Sequence, residues 1–509
     1  MSSLSQKLKE LLESHTITAY IIVVEGGGTG NEASAARLGS YLAQELSMEV
    51  KFLTFLPTAN MFKNEVDIFQ KCNKNSIAKL TKLKIPETQI VTTEIGLLTE
   101  QRFFVFCAAD VSLNQCNSMG LDIKEAIKAV ATRKKTFQED LFLGSVNLNP
   151  FAWHSDWRGL FDHSGKEIKF PEPLPILADY PELTPTENPL NNQKGGFKPN
   201  NKHELVELLN PQKLNCELMI TYGLHALYEN EPADYRFVAR AFTGLVKGLH
   251  KYVSNQKKSV VLLALHPKNT SDFTILHQHC GDEVIWYNGT EESVRDIANC
   301  TKIHLLSSKA TNLNNVVNEI TKIKVPQVIV IQKQENDNIP PDSFRDLLHA
   351  ATLPTLSEGA NTVGQLIQIK KPFWTIAEAE KQLPPISNEL KSLQYWQLLL
   401  TAVFKLPALQ ITEDVEKKFN EVESNVGEKA RAISKEFRKE MMEKGIETDN
   451  IETIATHTNN SINNNAISEY FRCLGNLNSI FHKECQNQVL LALTLWHANK
   501  HDIAVKKTE

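Results

Sequence analysis

The chain has 509 residues, 41% of them hydrophobic and 23% charged, which is ample for buried cores and fits about two to four globular domains. A net charge of −5 excludes the basic footprint of a nucleic-acid-binding surface. The longest apolar runs, such as SVVLLAL and VLLALTLW, fall short of the ~20 residues that cross a bilayer, and eight cysteines without a CxxC pair suit reduced thiols rather than a disulfide framework.

The opening segment MSSLSQKLKELLESH lacks the apolar centre of a secretory signal and sets Leu4, Leu8, Leu11 and Leu12 at helical spacing. The expectation is therefore a cytoplasmic protein without a transmembrane segment; the Asn- and Lys-rich makeup and polar C-terminus also suit an effector exported into a host cell. Residues 18–24 (TAYIIVV) read as a buried parallel strand, followed by Glu25-Gly26-Gly27-Gly28-Thr29-Gly30-Asn31-Glu32 and a helix over 33–46. Gly28, Thr29, Gly30 and Asn31 are candidates to face a ligand. The stretch from Gly28 to Ala33 also satisfies the relaxed dinucleotide fingerprint G-x-G-x-x-A. The next apolar run, residues 49–56, ends at Pro57 with no carboxylate where a ribose would need one, which weakens the dinucleotide reading.

Residues 147–175 carry aromatic and turn residues in a hairpin-like pattern around His163-Ser164-Gly165-Lys166. Within them Trp153, His154 and Trp157 surround Asp156, as either a packed corner or an acceptor-binding surface. Residues 171–202, rich in Pro, Asn and Gly, form the natural interdomain boundary. A second alternating β/α pattern follows: 218–222 with Gly223 after it, 259–265 with Lys268 close behind, 303–307, 327–331, a helix opened by Pro340-Pro341-Asp342, and a strand over 352–356. His277-Gln278-His279-Cys280 is not read as a metal site, because alternating residues rarely converge on one ion, so no metal is expected.

The strand over 352–356 leads into Ser357-Glu358-Gly359-Ala360-Asn361-Thr362-Val363-Gly364-Gln365, which reads as a phosphate cradle. Glycine permits close backbone approach, small hydroxyl and amide side chains add donors, and a helix N-terminus offers unpaired N–H groups with a positive dipole end. From about residue 388 the pattern is helical, with Val415, Phe419, Val422, Val426, Ala430 and Ile433 at helical spacing, an Asn-rich loop at 459–465 and a packed terminal helix at 488–498. These helices read as caps on the β/α domains, a coiled coil or partner-binding helix being the alternative. The expected organisation is an N-terminal Rossmann-like domain at 1–175, a linker at 176–204, a second Rossmann-like domain at 205–387 and a helical extension at 388–509.

Two glycine-bearing strand-to-helix loops, each heading its own β/α segment, resemble the paired Rossmann-like domains of GT-B glycosyltransferases. Gly27-Gly28-Thr29-Gly30-Asn31-Glu32 is similar to the GGTGGH loop of the bacterial enzymes that add N-acetylglucosamine to the peptidoglycan precursor, with Glu32 in place of the histidine. Gly359-Ala360-Asn361-Thr362-Val363-Gly364-Gln365 is similar to their GALTVSE segment, with Pro372 at the same distance beyond the glycine. The arginine rhamnosyltransferases that modify elongation factor P show a comparable segment ahead of a Pro-Phe pair, here Pro372-Phe373. Lys370 replaces the usual glycine two residues before the proline, and Gln365 replaces the ribose-binding glutamate.

The resemblance implies an α/β, GT-B-like fold with a helical extension and transfer of a sugar from a nucleotide-sugar donor to a glycan, lipid or protein acceptor. No cofactor beyond the donor is implied. The donor would contact Gly223, Lys268, Ser357, Glu358, Gly359, Ala360, Asn361, Thr362 and Gln365. Glu32, or else Asp156, would deprotonate the acceptor, with Trp153, His154 and Trp157 on the acceptor side. The sequence contains no D-x-D triplet of the kind that holds a metal in the GT-A class. A nucleotide-sugar 2-epimerase or hydrolase, a non-catalytic nucleotide-sugar-binding regulator and an NAD(P)-dependent oxidoreductase are the alternatives.

Overall fold

Twelve strands build two six-stranded sheets in the computed structural model, which describes residues 3–23, 30–54, 74–91, 101–107, 141–147, 159–164, 166–169, 209, 214–222, 235–256, 258–265, 284–287, 318, 321–322, 326–332, 341–357, 360–375, 383–405, 411–442, 448–484 and 488–503. In chain order the first half contributes α1 (Ser3–Leu12), β1 (Ile17–Ile22), α2 (Gly30–Glu45), β2 (Glu49–Leu53), β3 (Ile90–Val91), β4 (Arg102–Cys107), β5 (Phe142–Asn147) and β6 (Gly159–Asp162). Then come β7 (Cys216–Tyr222), α3 (Tyr235–Asn255), β8 (Ser259–Leu265), β9 (Val284–Tyr287), β10 (Val328–Gln332), α4 (Pro341–Ala350), β11 (Thr355–Ser357), α5 (Ala360–Gln368) and β12 (Phe373–Thr375). The C-terminal helices are α6 (Ile386–Phe404), α7 (Glu413–Val422), α8 (Glu428–Met442), α9 (Thr448–Ile462), α10 (Asn465–Glu484) and α11 (Gln488–Lys500). The fold is α/β, as expected, with parallel pairing dominant in both sheets.

The chain divides into two units. One holds Met1–Pro199, Asn388–Glu413 and Ile480–Glu509; the other holds Asn200–Ser387 and Asp414–Ser479. The C-terminal helices are thus shared out: α6 from Asn388 onward and α11 belong to the first unit, and the first two residues of α6, nearly all of α7, α8, α9 and most of α10 to the second.

In the first unit the strand order is β3-β2-β1-β4-β5-β6, parallel throughout except for the antiparallel β5–β6 hairpin. All six residues of β1 are buried, which is why its sequence is a continuous apolar run rather than an alternating one. α2 lies close on the sheet because Gly39 has no side chain: a Cβ there would sit 2.7 Å from the Phe52 ring and 3.1 Å from Val50 Cγ1. α11 seals the β4–β5 side, with Trp496 edge-on to Phe104 at 4.9 Å and its Nε1 donating to the Leu143 carbonyl at 2.9 Å. The hairpin pattern expected around His163-Ser164 is present: the Asp162 carboxylate accepts from Ser164 N–H at 2.8 Å and Lys166 N–H at 3.0 Å.

In the second unit the order is β12-β11-β7-β8-β10-β9, all parallel. One face of this sheet (Met219, Val260, Leu262, Val328, Val330, Leu356, Trp374) packs on Leu245, Val246 and Leu249 of α3, Phe437 and Met441 of α8 and Ile454 of α9. Trp374 stacks on Phe437 with centroids 4.3 Å apart. α7 and α8 are joined by a π turn, Glu423–Gly427, whose Glu423 carboxylate accepts from the first N–H of α6 at Ile386 (2.8 Å) and pairs with Arg431 at 2.6 Å. The cap on α6 thus comes from a helix far along the chain.

Two sequence expectations need correction. The strand expected over 352–356 begins only at Thr355, since Pro354 has no N–H to give a ladder, and Thr352 is used instead to accept from Leu218 N–H through its Oγ1 at 2.8 Å. The Asn-rich stretch at 459–465 is not a loop: α9 runs to Ile462 and α10 starts at Asn465, with Asn463 Nδ2 donating to the Asn459 carbonyl at 2.9 Å across the tight turn. Among the described residues no helix is long and apolar enough to cross a membrane.

Candidate functional site

In open parallel sheets, strand order points to the edge at which ligands bind. In the second unit the chain starts at β7, moves outward through β8 to β10 and β9, then returns to the other side of β7 to add β11 and β12. The order reverses between β7 and β11, and open parallel sheets bind ligands at the carboxyl ends of strands at such a reversal. The phosphate-cradle segment begins at the carboxyl end of β11, so the sequence-predicted cradle falls on this edge.

Three hydroxyls line these two strands. Ser357, the last residue of β11, pairs in register with Tyr222, and Leu356 with Thr221. Ser357, Thr355 and Thr221 are fully buried, and none of their hydroxyl oxygens has a hydrogen-bond partner among the described residues. Strand alternation sets Ser357 and Thr355 on one face and Thr221 on the other. Burying a hydroxyl without a partner costs about 1–3 kcal/mol, so a hydroxyl in that state at a ligand-binding edge is informative. α5 follows within three residues, with Thr362 in its first turn 4% exposed and Val363, Leu366 and Ile367 buried beneath it. Two residues past the end of α5, Lys370 adopts φ +61°, the left-handed conformation that favours glycine, and its Nζ donates to Asn476 Oδ1 at 2.7 Å. Oriented N–H groups at the start of α5 and the Ser357 and Thr362 hydroxyls form a donor-rich edge of the type that binds an oxyanion.

The first unit repeats the topology. β1 lies between β2 and β4, so the order reverses there, and α2 starts at Gly30 beyond the carboxyl end of β1. Glu32, in the first turn of α2, is completely buried. Its Oε1 accepts from Ser76 Oγ at 3.4 Å and lies 3.6 Å from Lys79 Nζ, both on the helix at 74–82. Val50 and Phe52 meet Gly39 of α2, and by alternation Thr54 points to the same side, nearer the start of the helix. Thr54 is 4% exposed, and its hydroxyl has no hydrogen-bond partner among the described residues.

Ser357, Thr362 and Gln365 are therefore grouped at the edge of the second sheet, while Glu32 stands at the edge of the first, with Gly30 and Asn31 in the backbone of its helical turn. Ala360 and Asn361 open α5. Gly28, Thr29, Trp153, His154, Asp156, Trp157, Gly223, Lys268, Glu358 and Gly359 lie outside the described residues, as do the 303–307 run, the 171–202 boundary and the His277–Cys280 cluster. Sequence reasoning missed Thr221, Thr54, Ser76 and Lys79. Nothing in the spacing of Ser76 and Lys79 points to Glu32, because their meeting depends on two helices sharing one face of a sheet.

Other ionisable groups are accounted for structurally. Burial pushes the Cys216 and Cys473 thiols up to about 12, so neither is a thiolate nucleophile. Lys371 is lowered by burial, and its Nζ donates to the Ala351 carbonyl, tying the end of α5 to the end of α4. Among the described residues no group of three or more His, Cys, Asp or Glu side chains converges on a metal-sized site. Compared with known families and curated proteins, the chain matches no family model and no curated sequence.

Proposed function

We propose that the protein is a metal-independent nucleotide-sugar glycosyltransferase of GT-B architecture, with the donor diphosphate held by the second unit and the acceptor bound and activated by the first. The observation that carries this reading is the edge formed by β11 and α5, where Ser357, whose buried hydroxyl has no hydrogen-bond partner among the described residues, stands three residues before a helix N-terminus at the strand-order reversal. The left-handed Lys370 adds support: it keeps the backbone conformation for which the resembled families use glycine at that place.

In this mechanism the acceptor O–H or N–H loses its proton to a carboxylate as its lone pair attacks the sugar carbon. The bond from that carbon to the phosphate oxygen breaks, and the nucleoside diphosphate leaves with the electron pair. N–H groups at the start of α5 and the Ser357 and Thr362 hydroxyls stabilise the charge that gathers on the leaving diphosphate. Gln365 bonds ribose hydroxyls, and Lys268 adds a positive charge. Of the two carboxylates expected for the proton transfer, Glu32 and Asp156, Glu32 is fully buried beside Lys79, so Asp156 is the one proposed to take the proton.

One specific observation favours a second reading. The first sheet carries the strand order 3-2-1-4-5 of dinucleotide-binding folds, and the G-x-G-x-x-A segment lies directly after its first strand. The strand that would carry the ribose carboxylate ends in Leu53-Thr54, so an NAD(P)-dependent oxidoreductase stands second.

Thermal unfolding against UDP-, GDP- and dTDP-sugars, with NAD and NADP as controls, separates them. A ligand at 100 times its Kd stabilises by about 2.7 kcal/mol. The transferase reading expects one nucleotide sugar to raise the midpoint and Thr362→Ala to abolish the rise; a shift with NAD or NADP alone replaces it with the oxidoreductase. Conversion or hydrolysis of the donor with every acceptor omitted, at the full rate, would favour the 2-epimerase or hydrolase.

A further inference from the structure

We propose that Lys79 is a positioning residue for the N-terminal end of α2, and that Glu32 is its buried anchor rather than the group that takes the acceptor proton. What that helix end serves rests on the glycosyltransferase reading above; the lock itself rests on geometry alone.

A glutamate in the first turn of a helix is stabilised by the dipole while still reaching water, and needs no further partner. Glu32 is in the first turn but 0% exposed, so its charge has been taken out of solvent and must be compensated locally. Two of its partners come from the helix at 74–82, which follows β2 in the chain as α2 follows β1. Lys79 brings an ammonium to 3.6 Å and Ser76 a hydroxyl to 3.4 Å, both on the same carboxylate oxygen. The Lys79 side chain is itself only 18% exposed, so the pair is weakly screened.

The result is a helix held at two points. In its middle, Gly39 lets α2 rest on Phe52 and Val50; at its start, Glu32 ties it to the neighbouring helix. Rotation or fraying of the first turn would drag the carboxylate away from its ammonium and weaken the pairing of a charge that has no solvent to turn to. That turn carries the N–H groups at the carboxyl end of β1, and their direction is therefore fixed before any ligand arrives. A general base has the opposite requirements, since it must reach the acceptor and exchange its proton with it. A carboxylate with no exposure and an ammonium beside it meets neither.

The test uses the full chain and five proteins: wild type, Glu32→Gln, Lys79→Met, Lys79→Gln and Lys79→Arg. Amide hydrogen exchange is followed by mass spectrometry in peptides from the start of α2, with β4 and α11 as references. The lock predicts exchange at the start of α2 about tenfold faster or more in Glu32→Gln, Lys79→Met and Lys79→Gln, the change produced by losing ~1.4 kcal/mol of local opening free energy, with β4 and α11 unchanged and Lys79→Arg close to wild type. Unchanged exchange in Lys79→Met and Lys79→Gln overturns the proposal. So does an equal rise in all three regions, or a failure of Lys79→Arg to restore protection, since either would make Lys79 a general support of the fold. UDP, GDP and dTDP are added to the same samples as probes. If none protects α5 in any of the proteins, the donor assignment fails while the exchange at α2 still decides the lock.

Discussion

Replacing Ser357 by alanine should stabilise the unliganded protein and weaken its ligand binding, two effects of opposite sign from one oxygen atom. The hydroxyl is fully buried and has no hydrogen-bond partner, so in the free protein it contributes a desolvation cost of about 1–3 kcal/mol. Alanine removes that cost and leaves a void smaller than a methyl group, worth less than ~1 kcal/mol. The net gain should be about 1 kcal/mol, or roughly 2–4 °C in the midpoint of a unit of this size. In the proposed complex the same hydroxyl would donate to a charged phosphate, a bond worth about 1.5–3 kcal/mol, so UDP affinity should fall roughly tenfold to a hundredfold. Differential scanning fluorimetry over a UDP titration, with calorimetry for Kd, reads both effects. Ser392→Ala is the control: its hydroxyl is equally buried and unpartnered, but on α6, and its removal should raise stability without touching UDP affinity. If Ser357→Ala lowers the free-state midpoint, or raises it with UDP affinity unchanged, the hydroxyl is not held ready for a ligand.

Three further outcomes follow from packing and charge. Trp496→Ala should cost about 3–5 kcal/mol by opening the space between α11 and Phe104 and leaving the Leu143 carbonyl without its donor, while Trp496→Phe should cost about 1–2 kcal/mol; chemical denaturation with fluorescence detection distinguishes them. Gly248→Ala should destabilise the second unit by about 1–3 kcal/mol although alanine is the better helix former by ~1 kcal/mol, because the new Cβ would lie 2.6 Å from the Ala455 carbonyl and 2.4 Å from Thr458 Cβ; equal or higher stability would mean α3 and α9 can separate freely. His497 is held down at about 4 by burial first and then by His501 and Lys500, so between that value and the ordinary 6.5 the unfolded chain binds the extra proton. Stability from this group is full above about 6.5, falls with pH through the window and is lost below about 4; His497→Gln should flatten that part of the stability profile, and an unchanged slope would remove His497 as its source.

Much of the fold was legible because parallel strands buried on both faces leave unmistakable runs. Residues 259–265 became β8 without a residue's difference, and β1, β7 and β10 matched their apolar runs to within two residues at each end. The misses have local causes. Pro354 delayed β11 by removing a ladder donor, and the asparagines at 459–464 looked like a loop by composition, whereas the buried residues Thr458 and Ser461 keep α9 helical as it packs on α3. The division of the C-terminal helices between two units was not legible either, since amphipathic spacing says that a face is buried but not against which sheet.

The candidate sites divide along the same line. A glycine loop before a helix is a local feature and can be read from neighbouring residues, but whether it matters depends on which strands flank it, and that is set by pairings such as Leu356 with Thr221 across more than a hundred residues. Both glycine segments fall at reversals of strand order, a fact carried by neither segment alone. Glu32 shows how local reading misleads about role. The dipole that makes glutamate welcome in a first turn explains its presence equally well whether it faces a substrate or a lysine, and only the long-range approach of Lys79 distinguishes the two. Ser357 runs the other way: by sequence it is one small residue among several before a helix, and it stands out only once its oxygen is found buried with nothing to bond. What supports the proposed function is therefore less the charged residue that first drew attention than the neutral one whose buried hydroxyl has no hydrogen-bond partner among the described residues.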